Sequence, residues 1–474
     1  MTPLVAALVF LPALCLSILY FPDLKKAQLP QEGELDTYFK QQIAAKKSPS
    51  ISVAVVKAGK VVYAKGFGEA DLENDVAATP ETVYRIGSIT KQFTATMIMQ
   101  LVHEGKLSLD QKFRTILPDM PGAWDKVTVR QLLNHTSGIK AYTEVRGLFE
   151  DAAMKPTAPA GILKTVEKEP MDFEPGSQWH YNNSGYELLG MIVEKLDGQK
   201  YEASLHKRIL DPLGMTSTYF TSEKTLVKHR AQGYQSDKKG GFEHAPYLNM
   251  DWPYAAGSIE STTLDLAKWD AALYGDKILS QSDLKQMWTP TTLSTGKKQD
   301  YGFGWQIGKV KGVDLVEHGG GIHGFTTYIR RAPEKQLTVI VLTNDGEGDS
   351  QALAGAALGI VDPIFKVEPA KAIVDTDAAA TQFARATLQS MLDGKLDRTK
   401  LTPEFSKLVT PKMEEDAKSG LGAMGKITKF ELISDETKAG KRARSYRVGL
   451  GAAVLTMRVV IDEKGLISGL DLRF

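Results

Sequence analysis

Apolar side chains cluster along residues 51–57 and 60–66, in Ile51-Ser-Val-Ala-Val-Val56 and Val61-Val-Tyr-Ala64, on either side of Ala58-Gly59. Short β-branched runs flanking a glycine-bearing turn predict a hairpin. Residues 82–86 predict a further short strand and Gly87 a tight turn. The apolar spacing of residues 92–103 predicts an amphipathic helix opening at or just before Ser88. Met97 to Leu101 fall on its core face. From about residue 105 to 300 the pattern is helix and loop with few strand signals. Strand signals return at 301–310, 313–317, 325–331 and 337–344, and a helical stretch follows at 350–365. Strands at both ends with helices between predict an α+β fold: one antiparallel sheet flanked by helices, with a large helical insertion. A cleft between sheet and insertion is the natural place for a site.

Residues 369–375 read as a linker. Beyond them come helical patterns at 376–392 and 403–417, then strand-like runs at 428–434, 443–450, 454–461 and 466–474. This predicts a second, small α+β domain over 376–474, with the main domain over 35–368. In pattern the small domain resembles the cone-shaped nuclear-transport-factor-2-like modules. No catalytic cluster stands out in it.

The first residues change the picture. Residues 3–22 are almost uninterruptedly apolar and uncharged, long enough for a membrane anchor or a signal peptide within 1–24. Export to a periplasmic or extracellular location is the expectation, with membrane contact only through this segment. Lys25 and Lys26 follow the run rather than precede it, which opposes that orientation. Cys15 lies inside the run, and as the single cysteine it excludes an internal disulfide. A formal net charge of +1 gives no reason to expect nucleic acid as a partner. Eight histidines without an H-E-x-x-H pattern give no metal signal, and no cofactor is expected. The sequence leaves the oligomeric state open.

Chemistry concentrates at Ser88. Lys91 is three residues on, so both side chains share one helical face. A serine hydroxyl needs a base to become a nucleophile, and a lysine of lowered pKa can serve. Spacing alone is weak evidence: Ser137/Lys140, Ser204/Lys207, Ser236/Lys239, Ser282/Lys285 and Ser294/Lys297 share it. The strand–turn–helix setting and the segments downstream separate Ser88 from these.

Those segments are Arg130-Gln-Leu-Leu-Asn-His-Thr-Ser-Gly138, Glu174-Pro-Gly-Ser-Gln-Trp-His-Tyr-Asn-Asn-Ser-Gly185, Pro212-Leu-Gly-Met-Thr-Ser217, Tyr301-Gly-Phe-Gly-Trp305 and Glu317-His-Gly-Gly320. With Ser88-x-x-Lys91 they resemble the serine β-lactamase and penicillin-binding-protein-like hydrolases, in the branch of class C β-lactamases, D-aminopeptidases and esterases. The resemblance runs from about residue 42 to 365. It implies Ser88 as nucleophile, Lys91 as its proton partner and Tyr181 as second member of the acid–base pair. It implies substrate contacts from Asn183, His318 and Gly320, and an oxyanion hole from the N–H groups of Ser88 and Gly321. His318 stands where true β-lactamases carry Lys, which argues against a preference for carboxylate-bearing penicillins. His318 is expected to gain charge as pH falls through about 6.5. Arg330 and Arg331 are expected at the surface, and His135 as a turn organiser. His180 and His323 flank the site. Residues 142–171 and 224–252 are expected to wall it.

The expectation is a serine hydrolase forming an acyl-enzyme on a small-molecule or peptide amide or ester. The alternatives are a true β-lactamase or D-Ala-D-Ala carboxypeptidase, and a non-catalytic binding protein of the same fold.

Overall fold

The computed structural model describes residues 29–474 apart from 149–151, 223, 238–239, 367–369, 423, 439, 452 and 474. The N-terminal apolar run lies outside the described residues. The chain forms two compact units divided between residues 367 and 368.

The first unit is built on one seven-stranded antiparallel sheet. Helix α1 (Glu32–Ala44) precedes strands β1 (Ser50–Lys57), β2 (Lys60–Asp71) and β3 (Val76–Ala77). Helices α2 (Thr90–His103), α3 (Asn183–Asp197) and α4 (Tyr254–Gly257) belong to the insertion. Strands β4 (Gln306–Val310), β5 (Val313–Ile322), β6 (Phe325–Ala332) and β7 (Leu337–Thr343) and helix α5 (Ser350–Val361) close the unit. The order across the sheet is β4-β5-β6-β7-β1-β2-β3. The first strand of the chain therefore pairs with the last of the unit, Val53 opposite Val341.

Strand periodicity sends alternate side chains to opposite faces. In β1, Ile51, Val53 and Val55 join the core under α1 and α5, while Ala54 and Val56 face the insertion. In β7, Val339 and Val341 take the first face, Ile340 and Leu342 the second. A central strand covered on both sides thus reads as a continuous apolar run.

Three departures from the sequence reading are local. Residues 301–305, expected as strand, are irregular, with Gly304 at φ +75°. Strand β5 runs on past Glu317 through the three glycines to Ile322, because pairing with β6 outweighs the low strand propensity of glycine. Arg331, expected at the surface, is fully buried: it pairs with Asp270 and lies over the rings of Tyr274 and Trp288.

In the second unit, helix α6 (Ala378–Leu392) accompanies a four-stranded antiparallel meander. Its strands are β8 (Ile427–Lys438), β9 (Lys441–Leu450), β10 (Ala453–Ile461) and β11 (Ile467–Arg473). The helical pattern at 403–417 breaks at Val409 because Pro411 follows. Residues 370–375, read as linker, are tied to this unit. Ile373 N donates to Leu432 O, and Arg444 pairs with Asp375.

Candidate active site

Ser88 stands on a short 3₁₀ turn, Gly87–Ile89, that leads directly into α2. Gly87 makes the turn possible. Its φ of +51° favours glycine, and a Cβ there would meet the Gly321 backbone at 3.0 Å. Gly320 is equally constrained, since a Cβ would stand 1.9 Å from Ile86 O. These two glycines let β5 lie against the Ser88 turn.

Lys91, the second residue of α2, is completely buried. Its Nζ lies 3.1 Å from Ser88 Oγ, 2.8 Å from Asn183 Oδ1 and 2.9 Å from Ala256 O. Amide oxygens only accept, so two N–H bonds of the amine are committed to Asn183 and Ala256. A neutral amine has two hydrogens and one lone pair. That lone pair then faces the Ser88 hydroxyl, the arrangement of a base ready to take its proton. Burial pulls the Lys91 pKa down to about 7, against a smaller opposing pull from Glu187.

Asn183 is held in turn. The Asn182 side chain caps α3 by accepting from Gly185 N, and Asn183 Nδ2 donates to Thr143 Oγ1. Tyr181 precedes them with its ring 4.8 Å from Lys91 Nζ. Its hydroxyl is shielded from solvent. It is near enough for Ser88 to counter part of its upward pKa shift, yet makes no well-formed hydrogen bond. Burial dominates and holds the phenol protonated. A protonated phenol beside the nucleophile is placed to give a proton rather than take one.

The sequence-predicted residues thus separate. Ser88, Asn183 and Gly321 line one cavity of about 140 Å³, together with Thr143, Leu248 and His323. Lys91 lies beneath it. His318 and Gly320 do not line it. His318 is buried at 2 % exposure. Its Nδ1 donates to Gly319 O at 2.6 Å, so Nε2 accepts from the Tyr301 hydroxyl at 2.9 Å. Burial and the neighbouring Lys91 push its pKa down to about 3, so the expected charging near pH 6.5 does not occur. Gly320 is filled against by Ile86 and Thr327. Both belong to the scaffold of the site. His135 organises its turn as expected, at φ +62°, with Nδ1 accepting from Asn182 N.

His180 pairs with Glu144 and lies near Asp172, in a cluster also held by Lys140. Of the expected walls, Tyr142, Thr143 and Leu248 line the cavity. Neither Arg330 nor Arg331 does. Among the described residues lining it there is no Lys or Arg. Sequence reasoning missed the Ala256 carbonyl, which no side-chain pattern can signal, and the Tyr301 support of His318, although Tyr301 stood inside a noted motif. It also passed over Glu187, a fully buried charged residue of α3.

Residues 35–361 match the Beta-lactamase family model. The chain belongs to this family. It is 31 % identical over 324 residues to penicillin-binding protein 4* of Bacillus subtilis, covering 65 % of this chain and 71 % of that one. Among solved structures it is similar to the octameric penicillin-binding protein homologue from Pyrococcus abyssi. That match has 28 % identity and TM-score 0.63, covering 93 % of this chain and 98 % of that one. It is also similar to the D-amino acid amidase of Ochrobactrum anthropi SV3, at 27 % identity and TM-score 0.61, covering 70 % and 97 %. The chain is a β-lactamase-related serine hydrolase, acting on amides or esters.

Proposed function

We propose that the protein hydrolyses small esters or amides that lack a free carboxylate, through an acyl-enzyme on Ser88. The observation that carries this reading is the three-way bonding of Lys91, which presents a lone pair to Ser88. Lys91 takes the Ser88 proton as Oγ bonds to the substrate carbonyl carbon, and the carbonyl electron pair moves onto oxygen. The backbone N–H groups of Ser88 and Gly321 receive that oxyanion. Tyr181 passes a proton to the departing amine or alkoxide and recovers one from Lys91. Water then attacks the acyl-enzyme and restores Ser88.

Charge supports this substrate class. A carboxylate-bearing substrate is held best by a fixed cation, and the described residues lining the cavity include no Lys or Arg. His318 stays neutral, and the cavity is small. D-amino-acid amides and short acyl esters fit, in keeping with the similarity to a D-amino acid amidase. The N-terminal apolar run supports export, which fractionation of a tagged chain checks.

The test compares kcat/KM for a short p-nitrophenyl ester, a D-amino-acid amide and a chromogenic cephalosporin. The ester or amide is expected to lead by at least tenfold. A cephalosporin preference of orders of magnitude makes the protein a β-lactamase instead.

A further inference from the structure

Glu187 is fully buried on α3, one helical turn beyond Asn183, and neither carboxyl oxygen has a hydrogen-bond partner. A buried carboxyl normally earns retention through the donors around it. Here the neighbouring hydroxyls are committed elsewhere. Tyr142 donates to Trp252 O, and Tyr201 bonds to Thr94 Oγ1. Tyr254 also faces Glu187, but its stronger acidic neighbour is Glu194. The cation on the Glu187 side of the helix is Lys91: its Nζ bonds Asn183 Oδ1 at 2.8 Å, and Glu187 stands four residues beyond Asn183 on the same face of α3. The proposed mechanism turns Lys91 into a buried ammonium that touches Ser88 Oγ, the oxygens of Asn183 and Ala256 and the Tyr181 and Tyr186 rings.

Resting on the acyl-enzyme reading, we propose that Glu187 is the internal counter-ion of Lys91: a positioning acid that sets how tightly the base holds a proton. The pair holds one mobile proton, either as amine and carboxylic acid or as ammonium and carboxylate. In the ammonium–carboxylate form the two charges cancel, so a protonated Lys91 is not an isolated buried charge. The groups facing Glu187 are Lys91 on α2, Tyr142, Tyr201 and Tyr254 on α4. Burial holds all three phenols neutral across the working range. Each influence is reciprocal: the carboxyl raises the proton affinity of Lys91, and Lys91 eases ionisation of the carboxyl, against the dominant effect of burial.

Glu187→Gln keeps the shape and removes the ionisation. Lys91 then holds its proton less tightly, and the base survives to lower pH. The experiment measures the rate of covalent labelling by a fluorophosphonate from pH 5 to 9 in wild type, Glu187→Gln and Glu187→Asp, with Ser88→Ala as control. The acidic limb is expected to move down by about one pH unit in Glu187→Gln and to return toward wild type in Glu187→Asp. Glu187→Gln also removes an unpaired buried acid, so its melting temperature is expected to hold or rise. A pH profile identical to wild type, in a folded Glu187→Gln, overturns the counter-ion role and leaves the Ser88 reading intact. If Glu187→Gln fails to fold, Glu187→Met decides, because it also removes the carboxyl at similar volume: a wild-type limb in a folded Glu187→Met overturns the role. Labelling that persists in Ser88→Ala contradicts the acyl-enzyme reading itself.

Discussion

Lys91 shows how much a few ångströms decide. An exposed lysine is charged at neutral pH, but burial brings this one to about 7, so a large fraction is free amine where the enzyme would work. The sign follows: the base is present above that pH and lost below it. Turnover is therefore expected to rise through about pH 7, and a rate that stays flat from pH 5 to 8 contradicts the assignment. Lys91→Ala and Tyr181→Phe should each lower kcat by roughly a hundredfold or more. Because the two share one proton route, the double variant should lose far less than the product of the single losses. His318 makes the opposite point. Its place in a His-Gly-Gly triplet pointed to substrate contact, but burial and its two bonds were not readable there. At pH 5 its NMR signals should still be those of a neutral imidazole. A protonated His318 at that pH would return it to the electrostatics of the site.

At the scale of elements, the sheet was legible and its junction with the site less so. The hairpin of β1 and β2 and the later strands announce themselves through β-branched runs, and strands at both ends with helices between implied that the two ends share one sheet. The extension of β5 through Gly319, Gly320 and Gly321 was hidden, since glycine carries no strand signal while its partners on β6 do the holding. The same glycines yield a paired prediction. Gly320→Ala would place Cβ 1.9 Å from Ile86 O, forcing β5 off the Ser88 turn. Overpacking of this kind costs about 1–3 kcal/mol, so both melting temperature and labelling rate should drop. Gly321→Ala meets nothing within 4 Å. It should keep the melting temperature while slowing turnover, because the new methyl borders the cavity. Calorimetry and labelling on the two variants separate scaffold from site.

At the scale of the molecule, every residue of the candidate site lies in the first unit. Its cores draw on residues 29–365 and the second unit has its own core around Leu388, Tyr446 and Met457. Deleting residues 369–474 should leave a folded domain that still labels at Ser88. An insoluble or unlabelled product would mean that the second unit completes the core or the cleft. The substrate was the least legible feature, because it depends on which side chains of a long, weakly patterned insertion come to border Ser88. Thr143 and Leu248 do so from distant stretches of it, and His323 joins them from the turn between β5 and β6.

The central claim is that Ser88 carries the acyl group. The most direct measurement is intact-protein and peptide mass spectrometry of the wild type, quenched in acid during turnover of a p-nitrophenyl ester at pH 8. A mass increase equal to one acyl group, on the peptide containing Ser88 and missing from Ser88→Ala, is the predicted result. An adduct on another residue, or turnover that survives in Ser88→Ala, would contradict it.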